Sequence, residues 1–198
     1  MNQQERSRRT REQVLDAAAQ EFARLGYADA AVQSVAARTG MTKGALYGHF
    51  PSKERLADAL VAVGAQSWAR LLQESQEPGT APLAALRAIT VGLAHALRED
   101  ARLRAAVRLE NDELLAGGGG GGLLGDVRQA VVSVVRRGQA AGAVTSGYRA
   151  ETIAQLLLSV ILGAQSAAAL TREDSFEPWL ERVWELVLAM ISGTRARG

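Results

Sequence analysis

The sequence predicts an all-α protein, and three observations support this prediction. Apolar residues recur at intervals of three and four along most of the chain, which is the spacing of one helix face. No stretch alternates between apolar and polar residues for long enough to indicate a β-strand. Glycine, proline and polar segments divide the helical pattern into about nine helices. With 198 residues, 47% of them hydrophobic, the chain can bury a sizeable core.

The first helix is predicted to begin at a capping box formed by Thr10 and Gln13 and to end at Gly26. Between these residues, the apolar positions from Val14 to Leu25 follow helical spacing. The basic residues of the N-terminal segment are expected to form an arm ahead of this helix that tracks a nucleic-acid backbone. These residues are Arg6, Arg8, Arg9 and Arg11.

Two short helices come next, separated by a tight turn. The first covers roughly residues 33–39, Gly40 allows the turn, and Thr42 caps a second helix that ends near Gly48. Two short helices joined in this way form a helix-turn-helix unit, whose second helix can enter the major groove of DNA. The apolar contact between the two helices is expected from Ala36, Met41 and Leu46.

A long helix is predicted from a cap at Ser52 to about Ser75, where the turn-rich segment 76–82 ends it. Five further helical patterns follow, at about 83–98, 101–115, 123–141, 150–170 and 178–192. The fourth of these includes most of a stretch of 20 residues without a charge, but its glutamines and serines favour a helix buried in a bundle over a membrane span. No membrane partner is therefore expected.

Six consecutive glycines, residues 117–122, separate two of these helices. A phosphate-binding loop needs a strand before its glycines and Lys-Ser or Lys-Thr after them. Here a helical pattern precedes the glycines, and Leu123 and Leu124 follow them. The run is therefore interpreted as an interhelical linker.

Charge is unevenly distributed along the chain. Residues 1–56 carry nine Lys or Arg and six Asp or Glu, whereas the remainder carries 14 and 15, so the two parts differ in net charge, +3 against −1. The chain has two lysines, Lys43 and Lys53, and both lie in the basic part. A basic segment ahead of a nearly neutral body is typical of a small nucleic-acid-binding module.

The composition also excludes several classes of protein. The chain has no cysteine, which excludes disulfides, thiolate zinc sites and cysteine nucleophiles and fits a reducing cytoplasm. No apolar run of the kind found in a secretory signal follows the basic N-terminal residues. The two histidines and the carboxylates show no catalytic or metal-ligating spacing. We therefore predict a cytoplasmic protein that is not an enzyme and has no metal or cofactor.

The outer face of the second short helix carries the residues suited to DNA. Gly44 and Ala45 are small enough for the backbone to approach base edges, and Lys43 can donate to guanine. Hydroxyl, imidazole and ammonium donors around them suit phosphates. The residues predicted to bind DNA are Arg9, Arg11, Thr42, Lys43, Gly44, Ala45, Tyr47, His49 and Lys53.

Residues 10–56 resemble the DNA-binding domain of the TetR family. The resemblance rests on Gly26-Tyr27, on Ala36 and Gly40, and above all on residues 42–54, which read TKGALYGHFPSKE. It implies a DNA-binding domain over residues 1–56, a ligand-binding and dimerisation domain over 57–198, and a homodimer formed through the last two helices. One position departs from the family, because Ala31 stands where Ser or Thr usually caps the second helix, at a typical cost of about 1 kcal/mol.

Within that family, the chain is similar to the γ-butyrolactone receptors, through residues 41–60 and, more weakly, 103–109. Those receptors generally place a tryptophan on the helix after the mid-chain linker, and residues 123–127, LLGDV, contain none. An effector pocket is expected between helices of the larger domain. Its predicted residues are Trp68, Leu93, Val107, Asn111, Val131 and Leu158. The dimer interface is predicted from Leu157, Ile161, Ala164, Ala168, Trp179, Val183, Trp184 and Val187.

The sequence thus predicts a ligand-responsive repressor that binds double-stranded operator DNA as a dimer. A small-molecule effector, such as a γ-butyrolactone-like signal or an antibiotic intermediate, would release it. Two alternatives remain open within this architecture: a regulator of the same family without ligand response, or acting as an activator, and a helical dimeric scaffold that does not bind DNA. A helical enzyme is the third alternative, and the lack of paired catalytic groups argues against it.

Overall fold

A computed structural model describes residues 3–76, 79–119, 121–167 and 176–192, and over these ranges the chain is built from nine helices. The helices are α1 Gln3–Asp29, α2 Val32–Thr39, α3 Lys43–His49, α4 Lys53–Ser75, α5 Pro82–Glu99, α6 Ala101–Leu115, α7 Leu123–Ala140, α8 Ala150–Ala167 and α9 Phe176–Ile191. Within the same ranges, β pairing is limited to an isolated bridge between Val144 and Ser192. The all-α prediction is confirmed.

The start of α1 differs from the prediction. The helix begins at Gln3, and the Thr10 hydroxyl donates to the carbonyl of Arg6, 2.9 Å away within the helix, instead of capping it. The capping box and the separate arm are therefore wrong. Gln, Arg and Glu, which dominate this segment, have high helix propensity, so the helix extends through them. At Gly26 the backbone leaves the helical region (φ +75°, ψ −174°), and a last short turn reaches Asp29.

The caps predicted at the start of α3, at the start of α4 and at the end of α2 are confirmed. The Thr42 hydroxyl accepts from the N–H of Ala45 at 3.2 Å and begins α3. Ser52 accepts from the N–H of Arg55 at 3.2 Å and begins α4. Gly40 takes the left-handed conformation, φ +68°, that ends α2. Ala31 provides no side-chain cap, so α2 depends on the packing of its buried face.

The chain divides into two compact units, and the first contains residues 1–69 and 97–125. Its core is formed by α1 to α4 together with α6, which packs along α1. α6 therefore belongs to the same unit as the helix-turn-helix, although it lies beyond the predicted domain boundary at residue 56. The largest side chains of this core are fully buried: Phe22, Leu46, Phe50, Leu56 and Leu60.

Both ends of α6 are fastened to α1 by polar contacts. At the start of α6, the Arg102 guanidinium donates to Asp16 at 2.8 Å and to Glu12 at 2.6 Å. Near its end, the Asp112 carboxylate accepts from the N–H of Tyr27 at 3.1 Å. A Cβ at Gly26 would collide with that carboxylate, so the close approach requires glycine there.

A buried carboxylate fixes the start of α7. Glu110 is only 7% exposed, and its two oxygens accept from the N–H groups of Leu123 and Leu124 at 2.8 and 2.7 Å. These N–H groups belong to the first turn of α7 and have no partner within the helix. Gly122, at φ +82°, brings the chain past Glu110 so closely that a Cβ would lie 2.5 Å from its oxygen. One side chain of α6 thereby fixes the point at which the glycine segment ends and α7 begins.

The second unit contains residues 70–96 and 126–198, and its described helices are the end of α4, most of α5, most of α7, α8 and α9. Its core includes Leu86, Ile89, Val131, Val135 and Ala154, all without measurable exposure. Large apolar side chains also remain at its surface, on α8 and α9. Over the described ranges, no helix combines the length and the apolar character that crossing a bilayer requires.

Candidate DNA-binding surface

α3 is a seven-residue helix that packs against the core of the first unit through one face. Leu46 and Phe50 are each 1% exposed and anchor its inner face in the core of the first unit. The N–H of Met41 donates to the carbonyl of Ala36 at 3.0 Å, which fixes the turn between α2 and α3. A helix this short is not stable alone, so its orientation is set by these contacts.

The opposite face of α3 begins with four exposed residues, Thr42, Lys43, Gly44 and Ala45. A Cβ added at Gly44 or at Gly48 would meet no atom within 4 Å, so this side of the helix is open. The Thr42 oxygen accepts the capping hydrogen bond, which leaves its O–H free to donate. Small side chains and free donors on an open helix face suit close approach to a groove of DNA.

Tyr47 and His49 occupy the edge of this face and are half-buried. The Tyr47 ring packs partly against the core, and the Lys43 ammonium lies 5.8 Å from its centroid. A cation near a ring face at this distance is weakly attracted to it, which favours a Lys43 conformation along the helix. Lys43 and Arg9 form no ion pair with any described residue, so both charges are available to a polyanion.

Arg11 contacts its own chain in this structure. Its guanidinium donates to the carbonyl of His49 at 2.9 Å and lies 4.0 Å from the centroid of the Phe50 ring. It therefore ties the C-terminal end of α3 to α1. This role of Arg11 was not predicted from the sequence, although an aromatic residue directly after the helix is the kind of partner an arginine stacks on.

Lys53 also contacts its own chain. Its ammonium donates to the carbonyl of Ala28 at 3.2 Å and lies 4.7 Å from the centroid of the Tyr27 ring. The Tyr27 hydroxyl in turn donates to Glu54 at 3.0 Å. Burial, and then the Glu54 carboxylate, raise the pKa of the Tyr27 phenol, while hydrogen bonding from Ser52 contributes most to lowering the pKa of Glu54. The start of α4 is thus tied to the end of α1.

The six residues predicted to bind an effector are divided between the two units. Trp68 and Val107 are buried in the first unit, where Asn111 is half-buried. In the second unit Leu93 and Val131 are buried and Leu158 is half-buried. A pocket shared by these residues stays a prediction. Over the described ranges, no group of His, Asp and Glu side chains is arranged to hold a metal ion.

The residues predicted to form the dimer interface differ in exposure. Leu157, Ile161, Trp184 and Val187 are buried within their own chain. Trp179 and Val183 are half-buried, while the Ala164 side chain and all of Ala168 lie outside the described part. The large exposed apolar residues of α8 and α9 are Leu156, Leu186 and Met190, at 42%, 67% and 54%. The interface stays a prediction.

Leu156, Leu186 and Met190 are not among the eight residues predicted for the interface, although the sequence places Leu186 and Met190 in the apolar stripe of α9 that was expected to contribute to it. α9 is apolar over more of its surface than one stripe, and the intrachain core takes the side that includes Trp184 and Val187. The excess of apolar residues over what one contact face needs was the signal available.

Comparison with known proteins identifies relatives over the N-terminal region and over the whole chain. A family model described as bacterial regulatory proteins, tetR family, matches residues 14–60. The chain is 30% identical to the A-factor receptor protein of Streptomyces griseus over 194 residues, 97% of this chain and 67% of the receptor. It is 32% identical over 101 residues to the HTH-type transcriptional regulator TtgR of Pseudomonas putida, and that match covers 50% of this chain and 48% of TtgR.

Solved structures share the fold. CprB of Streptomyces coelicolor, determined in complex with its biological operator sequence, superposes with a TM-score of 0.78 at 26% identity, covering 97% of this chain and 92% of CprB. A γ-butyrolactone receptor described as ArpA-like superposes with a TM-score of 0.76 at 26% identity, covering 97% of this chain and 94% of the receptor.

Proposed function

Because the chain belongs to the TetR family of bacterial regulatory proteins, whose members are transcriptional regulators, we propose that it is a ligand-responsive repressor. It binds a palindromic operator as a homodimer in the cytoplasm, and a small molecule releases it. The observation that carries the proposal is the open outer face of α3, whose opposite face is buried in the core of the first unit. An exposed helix with small residues and unpaired donors fits the major groove.

At the operator, Lys43 on the open face of α3 donates to a base edge or to a phosphate. Gly44 and Ala45 allow the helix backbone to approach the base edges closely. Thr42, Tyr47 and His49 donate to phosphates, with Arg9 on α1 adding charge. Arg11 and Lys53 have a second role, because each already fixes one end of the recognition unit. Contact with DNA through either side chain would therefore also position α3 or α4.

Dimerisation is proposed through α8 and α9. Leu156, Leu186 and Met190 are exposed apolar side chains on these two helices. A second copy of the chain would bury them in a twofold arrangement of four helices. A single helix-turn-helix reads only one half-site, so two copies are needed for tight and selective binding.

The effector is proposed to be a small molecule of the γ-butyrolactone type or an antibiotic intermediate. This class is supported by similarity to the A-factor receptor and to the γ-butyrolactone receptors. α7 carries no tryptophan, so the contact over the ligand expected in such receptors must come from another residue. Ligand binding favours a state in which the two recognition helices no longer fit the operator. A coupling of about 1–3 kcal/mol would weaken DNA binding roughly 5–150-fold.

The experiment measures binding of the purified protein to DNA from the region upstream of its own gene. Fluorescence anisotropy is recorded for the wild type, Lys43→Ala, Tyr47→Phe and, as the matched control, Arg128→Ala, an exposed cation on α7. We expect Lys43→Ala to weaken binding roughly tenfold or more and to reduce the salt dependence. Tyr47→Phe keeps the packing and removes only the hydroxyl. Arg128→Ala should bind as the wild type does.

Three outcomes would contradict parts of this proposal. A purified dimer that gives no sequence-selective binding at about 100 mM salt supports the scaffold instead. Unchanged binding by Lys43→Ala and Tyr47→Phe removes α3 as the recognition helix. Selective binding that no lactone, furan or antibiotic intermediate weakens supports a regulator without ligand response.

A further inference from the structure

The first unit contains a groove of about 650 Å³ between the end of α1, the first half of α4 and the second half of α6. We call it the α1–α4–α6 groove. Its volume lies in the range of pockets that hold small molecules, about 300–1,000 Å³. None of the six residues predicted to bind an effector lines this groove. It is therefore a separate candidate site.

The floor of the groove is apolar. Ala57 and Leu109 are buried there, and Leu25 and Val61 are half-buried. At the mouth, the Leu115 side chain is 80% exposed and adds a further apolar surface. A ligand with a ring or an aliphatic body would bury this surface, which stabilises binding through the hydrophobic effect.

The rim of the groove is acidic. Five carboxylates line it, from Asp29, Glu54, Asp58, Asp112 and Glu113, against the single guanidinium of Arg108. With the ammonium of Lys53 beside Tyr27 and the guanidinium of Arg55 beside Asp58 included, the balance of three cations against five anions is −2.

Part of this negative charge is not neutralised within the chain. Asp112 is paired with Arg108 at 3.0 Å, and Asp58 has only an exposed partner, Arg55, at 3.6 Å. Asp29 and Glu113 form no ion pair with any described residue. The raised pKa of the Tyr27 phenol, caused first by burial and then by Glu54 and Asp58, is consistent with a negative potential here. The groove therefore combines an apolar floor with unpaired anions at its rim.

We propose that the α1–α4–α6 groove binds organic cations, specifically a protonated amine attached to an apolar ring or chain. The apolar body lies on the floor near Ala57 and Leu109, and the ammonium lies at the rim near Asp58 and Glu113. Charge at the rim selects against neutral and anionic molecules of the same shape. This inference concerns ligand binding by the chain itself and does not depend on operator binding.

The test uses dansylcadaverine, a fluorescent primary amine with an apolar ring system, and its neutral N-acetyl derivative. Each is titrated into the full-length protein without DNA, at about 50 and 300 mM salt. Two double variants are compared with the wild type: Asp58→Asn with Glu113→Gln at the rim, and Glu74→Gln with Glu185→Gln as a matched control at exposed positions elsewhere. Circular dichroism verifies that both variants are folded.

We expect saturable binding of the amine, weakened by salt, with the N-acetyl derivative roughly fivefold weaker or more. The rim variant should lose binding of the amine by a similar factor, and the control variant should bind as the wild type does. Equal binding of the amine and its neutral derivative would overturn the proposal. So would equal binding by the rim variant and the wild type, or no saturable binding of the amine up to about 1 mM.

Discussion

The outer face of α3 and the exposed apolar residues of α8 and α9 are both open surfaces, but they differ in chemistry. The α3 face is built from a threonine, a lysine and two small residues, and apolar side chains on the opposite side of the helix are buried in the core. On α8 and α9, Leu156, Leu186 and Met190 are exposed although other apolar residues of the same helices fill a core. The first surface suits a polar partner and the second suits an apolar one.

Because of this difference, the two surfaces should differ in how their binding free energy arises and in how it depends on salt concentration. Burying a large apolar side chain contributes about 1.5–3 kcal/mol and changes little with ionic strength. Contacts with phosphates gain much of their free energy by releasing counterions, so they weaken steeply as salt rises. The two surfaces should therefore respond differently to substitution and to salt, and the following experiments separate them.

The largest effect is expected from placing charge on the exposed face of α9. Leu186→Glu combined with Met190→Glu should convert the proposed dimer to a monomer, because each copy would bring two carboxylates, four in all, into the shared interface. Sedimentation velocity measures the oligomeric state, and operator affinity should fall by about 100-fold or more. Arg128→Glu, which changes the charge by the same amount at an exposed position of α7, is the control. A double variant that stays dimeric would show that the interface lies elsewhere.

A change in the interior should lower stability without altering either surface. Glu110→Gln removes the charge that caps α7 and leaves one of its two N–H partners without a good acceptor. We expect the free energy of unfolding to fall by about 1–2 kcal/mol and the melting temperature by roughly 2–8 °C. Thermal unfolding followed by circular dichroism measures this, with the exposed Glu113→Gln as the control. Equal melting temperatures for the two variants would mean that Glu110 does not hold α7.

Substitutions at Arg11 test whether DNA binding by α3 requires the contacts that link its C-terminal end to α1. Arg11→Lys keeps the positive charge but loses the planar group that lies over Phe50 and donates to His49. We expect operator affinity to fall by roughly threefold to tenfold for Arg11→Lys, and by little more for Arg11→Ala. If Arg11 acted only on a phosphate, Arg11→Lys would bind nearly as the wild type does.

The smallest effect concerns the pH dependence of stability. The pKa of Tyr27 is raised above its ordinary value of 10.0, so the folded state favours the neutral phenol. This stabilisation is present below the ordinary pKa and is lost as the pH rises through the folded pKa. Urea unfolding at pH 9 and pH 11 should therefore show a smaller loss of stability for Tyr27→Phe than for the wild type. An equal loss in both would mean that Tyr27 does not contribute.

Local patterns in the sequence were sufficient to predict most of the fold. Helices α2 to α9 lie within a few residues of their predicted bounds, because caps at Thr42 and Ser52 and the segments rich in glycine and proline are local signals. The predicted start of α1 was wrong. Thr10 has the spacing of a cap, but the residues before it have high helix propensity, and the helix extends through them to Gln3.

The candidate sites were harder to predict because they depend on distant parts of the chain. Exposure of Lys43 and Gly44 follows from helical spacing within one short segment. The contacts of Arg11 with His49 and of Lys53 with Ala28 join residues 38 and 25 positions apart, and no local pattern specifies such pairs. The α1–α4–α6 groove requires the position of α6, which polar contacts with α1 determine.

The cap that Glu110 provides to α7 has a consequence for the tolerance of the chain to insertions. The carboxylate and Gly122 fix where α7 begins, and hydrogen bonds from the N–H groups of Gly117 and Gly118 to the carbonyls of Leu114 and Glu113, at 3.0 and 2.9 Å, fix where α6 ends. Extra residues therefore belong between these two fixed points. Doubling the length of such a connection costs only about 0.6 kcal/mol of closure entropy. The glycine run is therefore a position where extra residues, such as a protease cleavage site or a fluorophore attachment tag, can be added while the helices on either side keep their places.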